Sequence, residues 1–260
     1  MSGLPVPCTI VETVRTLVVQ CDDNDPPGRL ADWLIDAGAA IDLVRPDRDP
    51  LTANPRDYAA IVVLGGSPSA YDTTLPWLVD IRRLLASAVS ADVATLGVCL
   101  GGQLLALAAG GAVEPGADGP EVGCGLVAKR DLGWADPLFA DLPLMPDVIQ
   151  WHADAITRLP PGAAHLAAAT RYPNQAFRVG RRAYGLQFHI ETTPEIVAAW
   201  VGNNPGEAAT ARPGDFDAER QEQVHADIEE TWRPFIGRFL ALARGDLVPV
   251  EPDRPTLPMA

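Results

Sequence analysis

The chain has 260 residues, 47% apolar and 21% charged, with a net charge of −14 and Lys129 as its only lysine. That length and apolar share suit an α/β domain with a substantial core. The acidity argues against a nucleic-acid or anionic-membrane surface, since either needs a basic face.

The N-terminus, MSGLPVPCTIVETVR, has no charged segment followed by an apolar run. No secretory leader is therefore expected, and a soluble cytoplasmic protein is the default. Cys8, Cys21, Cys99 and Cys124 are widely spaced without a C-x-x-C pair, which suggests neither a disulfide framework nor a zinc knuckle. TLVVQ, 16–20, reads as a buried strand. RLADWLIDAG follows, with Leu30, Trp33, Leu34 and Ala37 at helical spacing and Gly38 as a stop. AIDLV, 40–44, and YAAIVVLGG, 58–66, are the second and third strands. PWLVDIRRLLASA puts Leu78, Ile81, Leu84 and Leu85 on one helical face. VATLGVC is a fourth strand, and GGQLLALAAGG its following helix.

Asp92 and Glu114 bracket an uncharged run long enough to raise a transmembrane reading. Its glycines and Gln103 fit a buried strand and helix better. Strands alternating with helices predict a doubly wound, mostly parallel sheet flanked by helices, the flavodoxin-like arrangement. Between about 122 and 188 the rhythm changes to short strand-like pieces (VGCGLVAK, DVIQWH, AHLAAAT, AFRVG, AYGLQFH), which predict a smaller mixed or antiparallel portion. PEIVAAWVG is a further helix with Pro194 in its first turn. The main domain spans 15–202 on this reading and 203–217 is a linker. Residues 218–244 form an amphipathic helical segment striped by Val224, Ile228, Trp232, Phe235, Ile236, Phe239 and Leu240, which Pro234 is expected to split or kink. The remainder, 245–260, is a proline-rich flexible tail.

Three stretches carry chemistry. In GVCLGGQ, Cys99 ends a strand before a glycine pair and a helix, the shape of a nucleophile elbow; a helix N-terminus behind a thiol favours its thiolate. An inert core cysteine is the competing reading. In GLQFHIE, His189 and Glu191 at i and i+2 share one face at a strand end, so a carboxylate can hold an imidazole. In LGGSPSAYD, a glycine pair after a strand leaves amides free for an oxyanion hole together with Leu100. His165 reads as a satisfied core histidine and His225 as part of an acidic, exposed helix face. Cys8, Cys21 and Cys124 read as structural. No ligand set suits a metal.

On LGGSPSAYD, GVCLGGQ, QWHAD at 150–154 and GLQFHIE, the chain resembles the class I, triad-type glutamine amidotransferases, and looks most like the amidotransferase domain of GMP synthase, over roughly residues 15–202. The resemblance implies Cys99 as nucleophile, His189 as general base and acid, and Glu191 as its orienter. It implies oxyanion amides at Gly66 and Leu100, and a γ-glutamyl pocket lined by Gly65, Gln103, His152 and Ala153. Glutamine would then be hydrolysed through a γ-glutamyl thioester, releasing ammonia with no cofactor. Two positions depart from the family's pattern. Ile190 stands where proline is common and is expected to loosen the turn, and Ala153 puts a methyl group where glycine is frequent.

The residues after 202 are too few for a nucleotide-binding synthetase domain. A separate ammonia-accepting synthetase subunit, or a γ-glutamyl peptide or amide hydrolase with the same triad, are the two alternatives this leaves open. A non-catalytic binding module on the same fold is a third reading. A small-molecule substrate is expected in each enzymatic reading, and the sequence leaves a homo-oligomer open.

Overall fold

The computed structural model describes residues 13–250. Cys8 and the last ten residues of the expected tail lie outside the described residues. The central sheet has eight strands. Five are parallel: β1 (Val14–Val19), β2 (Ala39–Val44), β3 (Ala60–Val63), β4 (Ala94–Val98) and β12 (Ala183–Leu186). Three antiparallel strands extend it: β11 (Ala176–Val179), β10 (Ala164–Ala168) and the short β7 (Ala128–Lys129). Their order is β2-β1-β3-β4-β12-β11-β10-β7. Beside it lie two antiparallel pairs, β5 (Ala112–Pro115) with β9 (Asp154–Arg158), and β6 (Glu121–Leu126) with β8 (Asp147–His152). The sheet is α/β and mostly parallel with a smaller antiparallel portion, as the alternation of apolar runs predicts. β5 and β9 escape prediction because AVEP and DAITR are short and end in exposed or charged residues.

Every residue of β3 and β4 is buried. Helices cover both faces of these strands, so their sequences run apolar without alternation. On one face α1 (Gly28–Asp36) packs with α6 (Ala218–Arg244), joining Leu30, Trp33 and Leu34 to Trp232, Phe235 and Phe239. On the other, α2 (Pro76–Ser90) and α3 (Leu100–Ala108) share a cluster of Leu78, Ile81, Leu85, Leu104 and Leu105. The uncharged run from 93 to 113 is thus β4, α3 and the start of β5. No helix of the described residues is long and apolar enough to cross a membrane.

The amphipathic stripe of the C-terminal segment is buried on the chain's own core. It forms one helix, unbroken at Pro234. A proline inside a helix costs about 3 kcal/mol. Trp232 and Phe235 flank it and meet edge-on, with ring centres 5.2 Å apart, and each meets Phe139 edge-on, at 6.3 and 5.5 Å. Burying each such ring contributes about 1.5–3 kcal/mol, so the anchored rings outweigh the missing N–H. Residues 203–217, expected as a linker from their Asn, Pro and Gly content, are mostly exposed but touch the domain at a few points. α4 (Pro194–Asn203) leads directly into a single turn, α5 (Pro205–Ala208). Phe216 then rests on Trp151, and the Asp215 carbonyl accepts a bond from Gln221 Nε2 at 2.6 Å.

Candidate active site

β4 stops at Val98 and α3 starts at Leu100, so Cys99 alone makes the turn. Its backbone sits at φ 50°, ψ −109°, and Asp92 is the only other non-glycine residue at positive φ among the described residues. A side chain rarely adopts that conformation, and such strain concentrates at functional sites. Here it is held from both sides: the Cys99 N–H donates to the Leu186 carbonyl at 2.8 Å, and the Cys99 carbonyl accepts from the Gln103 N–H at 2.9 Å. The two glycines behind it explain the tight seat of the helix. A Cβ on Gly101 would fall 2.0 Å from the Val63 carbonyl oxygen, and one on Gly102 would fall 2.4 Å from that of Leu186. The first turn of α3 therefore lies directly on the ends of β3 and β12, with its N-terminal dipole behind the sulfur. Cys99 is 7% exposed, at a cavity, and its Sγ faces the Trp151 carbonyl at 3.8 Å.

His189 lies beyond β12, which ends three residues earlier than the sequence suggests. A backbone bridge to Ile149 of β8 holds it instead, with bonds of 2.8 and 3.1 Å. The shared strand face expected for His189 and Glu191 is therefore a turn, yet the two side chains still meet. His189 Nδ1 lies 2.6 Å from Glu191 Oε1, and both residues are almost wholly buried. Burial disfavours the imidazolium, but the Glu191 carboxylate and then the Cys99 sulfur outweigh it, and the imidazole is held well above its ordinary pKa. His189 Nε2 is buried and has no hydrogen-bond partner among the described residues. Glu191 is fixed in turn: its Oε2 accepts the Ile190 N–H at 2.9 Å, and its carbonyl accepts the Arg29 N–H at 3.0 Å. Ile190 does not loosen the turn. Its side chain is fully buried, and its N–H makes a bond that a proline cannot.

The cavity at this pair has a volume of about 280 Å³, a small-molecule scale. Gly66, Gln103, His152 and Ala153 line it, together with Cys99 and His189. Leu100 opens α3 beside it, and Gly65 lies behind, where an added Cβ would fall 3.1 Å from His189 Cε1. Gln103 Nε2 donates to the Asp154 carbonyl at 3.1 Å and to Gln187 Oε1 at 3.3 Å. His152 faces an acceptor at each nitrogen, the Asp154 carbonyl at 2.8 Å and Glu121 Oε2 at 3.1 Å, so it shapes the wall and has no free nitrogen for substrate protons.

Sequence reasoning missed Asp25, Trp200 and Glu207, which also line the cavity. Asp25 sits in CDDNDPPG, which follows β1 at the carboxyl ends of the parallel strands, where ligands of open α/β sheets bind; that position was the available signal. Trp200 meets His189 edge-on at 4.8 Å, and Glu207 Oε2 accepts the Trp151 indole N–H at 2.8 Å.

The remaining candidates stay outside. His225 is buried, not exposed: its Nδ1 lies 2.8 Å from the Gln221 carbonyl and its Nε2 3.1 Å from Thr192 Oγ1, because α6 turns that face inward. His165 is half-buried and bonded to two carbonyls. Burial pushes the thiols of Cys21 and Cys124 up, away from reactive thiolates.

Known proteins resemble this chain in sequence and in fold. The sequence model for glutamine amidotransferase class-I matches residues 28–199. The chain belongs to the class I glutamine amidotransferase family. The glutamine amidotransferase-like protein YfeJ of Salmonella typhimurium is 31% identical over 209 residues, covering 78% of this chain and 86% of that protein. The glutamine-hydrolysing GMP synthase of Porphyromonas gingivalis is 35% identical over 146 residues, which are 55% of this chain but only 27% of the synthase. Among solved structures, a glutamine amidotransferase from Thermotoga maritima superposes with a TM-score of 0.77 at 26% identity, covering 89% of this chain and 98% of its own. One from Methylobacillus flagellatus gives 0.77 at 27%, covering 94% and 99%.

Proposed function

We propose that the protein hydrolyses the side-chain amide of glutamine, or of a γ-glutamyl compound, through a thioester on Cys99. The observation that carries this reading is the buried His189 Nε2, without a partner among the described residues and beside Cys99, on an imidazole whose other nitrogen is held by Glu191 at 2.6 Å. A raised imidazole pKa next to a thiol on a helix N-terminus favours the thiolate–imidazolium pair. The sulfur attacks the amide carbon, and the oxygen's developing charge meets the amides of Gly66 and Leu100. His189 gives its proton to the departing nitrogen, which leaves as ammonia or an amine. It then takes a proton from water, which cleaves the thioester and frees glutamate. Glu191 fixes the imidazole's orientation throughout. Gln103, His152 and Ala153 form the glutamyl end of the cavity, and Gly65 gives the imidazole room from behind.

In the glutaminase form of this reading, ammonia passes to a separate synthetase subunit. The full-length GMP synthases, of which this chain matches about a quarter, motivate that partner. The test combines ammonia and amine release from glutamine and γ-glutamyl amides with labelling by a glutamine-like electrophile. Labelling confined to Cys99, lost when substrate competes, supports the reading. Equal labelling of Cys21 and Cys124, or none, contradicts it.

A further inference from the structure

Apart from the catalytic pair of Cys99 and His189, the charged side chains lining the cavity are all acidic. Asp25, Asp154 and Glu207 line it, and no lysine or arginine does. Asp154 is engaged through Oδ1, which accepts the Tyr71 hydroxyl at 3.0 Å. Asp25 is different. It exposes only 9% of its surface, yet no hydrogen bond reaches its carboxylate from the described residues. Its carboxylate opens onto the cavity, where the donors it lacks within the protein can come from a ligand.

Its position says which part of a ligand that is. A Cβ built on Gly65 would lie 3.1 Å from His189 Cε1 and 3.6 Å from the Asp25 carboxyl carbon, so Asp25 stands on the histidine's side of the cavity. That side is walled by the loop after β1 and by α4, tied together where Trp200 Nε1 donates to the Asn24 carbonyl at 2.7 Å. Gln103, His152 and Ala153 belong to the other side. Glu207 lines the cavity too, held by Trp151, which packs edge-on against Trp200 at 5.5 Å. A group departing from the amide carbon toward His189 therefore meets the carboxyl groups of Asp25 and Glu207 and, once the imidazole has passed on its proton, no cationic side chain.

Resting on the amide-hydrolysis reading above, we propose that this site selects γ-glutamyl amides whose departing amine carries a second positive charge, a diamine, over those whose departing amine carries a carboxylate, with Asp25 and Glu207 as the specificity-determining residues. The second ammonium supplies the donors that Asp25 lacks. A carboxylate in the same place meets like charge, which is the stronger of the two discriminating effects.

The test measures kcat/KM of the full chain for γ-glutamyl putrescine, γ-glutamyl butylamine and γ-glutamyl γ-aminobutyrate, which match in length and differ in charge. The proposal expects that order, with the first and last at least about 10-fold apart. In the combined Asp25→Asn, Glu207→Gln variant, the ratio of first to last should fall to within about 2-fold. Equal rates for the three amides, a preference for the anionic one, or a ratio unchanged in the variant overturns the proposal while leaving amide hydrolysis intact. Release of no amine from any of them or from glutamine, with Cys99 unlabelled, overturns the underlying reading and the proposal with it.

Discussion

The two walls of the cavity are built by opposite means. The wall around Cys99 is backbone: the ends of β3, β4 and β12 and the first turn of α3 interlock through glycines, with no charged side chain among Gly97 to Gly102. The wall around Asp25, Trp200 and Glu207 is side chain, assembled from two segments far apart in sequence, the loop after β1 and the α4–α5 stretch. The first can hold a strained residue because its hydrogen bonds and close contacts leave no other conformation. The second can change the ligand it fits by changing a few residues. Rigid chemistry beside an adjustable rim is how one fold serves many substrates.

The comparison breaks most severely at the chemistry. Cys99→Ser should fold and lose amide hydrolysis by about 10^4-fold or more, and His189→Ala should approach that loss, because such residues act as a unit. Glu191→Gln should lose less, about 10^2- to 10^3-fold, since it orients the base without being it. Steady-state kinetics with a folding check by circular dichroism orders the three. An unaffected Glu191→Gln variant, with another carboxylate essential, would refute the assignment.

The backbone wall should fail through stability. Gly101→Ala places a methyl 2.0 Å from a carbonyl oxygen, so denaturant unfolding should show a loss of about 3 kcal/mol, at the top of the range for overpacking. A variant as stable as the parent would mean that α3 can lift off the strands without cost.

The side-chain wall should respond in the opposite direction. Burial, reinforced by Glu191 and Asp22 and opposed by His189, raises the Asp25 carboxyl to about 7. The folded state then holds a proton that the unfolded state has released between about pH 4 and 7, so this group makes stability fall as pH rises through that window. Asp25→Asn removes the penalty. The variant should match the parent near pH 4 and exceed it at pH 8, by an amount on the order of 2–4 kcal/mol. Thermal melts at the two pH values check this, and a variant less stable at pH 8 would show that the carboxylate is satisfied.

The smallest effect belongs to the joint between the walls. Ile190→Pro deletes the N–H that donates to Glu191 Oε2. A single bond to a charged group contributes about 1.5–3 kcal/mol, and part of that reappears as relaxed geometry, so kcat should fall by no more than about 10-fold. A loss as deep as that of His189→Ala would mean that this N–H, not the Nδ1 contact, sets the triad.

The backbone wall was legible in the sequence because its causes are local. A strand, a glycine pair and an apolar helix specify the elbow within ten residues, and motif order adds the histidine and glutamate. Even there, β12 ends before His189, since the bridge to Ile149 depends on β8 and leaves no local trace. The side-chain wall was illegible for the same reason. Nothing in CDDNDPPG marks Asp25 rather than Asp22 or Asp23 as the buried acid. NNPGEAATARPG has the composition of a linker, although Glu207 within it bonds Trp151 across 56 positions. His225 misled because the stripe on α6 is wider than its apolar residues, with Gln221 and His225 also facing inward.

The central claim is that Cys99 forms a thioester whose departing nitrogen is protonated by His189. Mass spectrometry of the intact protein, quenched with acid during turnover of glutamine or a γ-glutamyl amide, tests it most directly. The account predicts a transient adduct with the mass of glutamate less water, mapped to the peptide containing Cys99, absent in Cys99→Ser and formed far more slowly in His189→Ala. Substrate consumed with no adduct on Cys99 in any variant, or an adduct at full rate without His189, would contradict it.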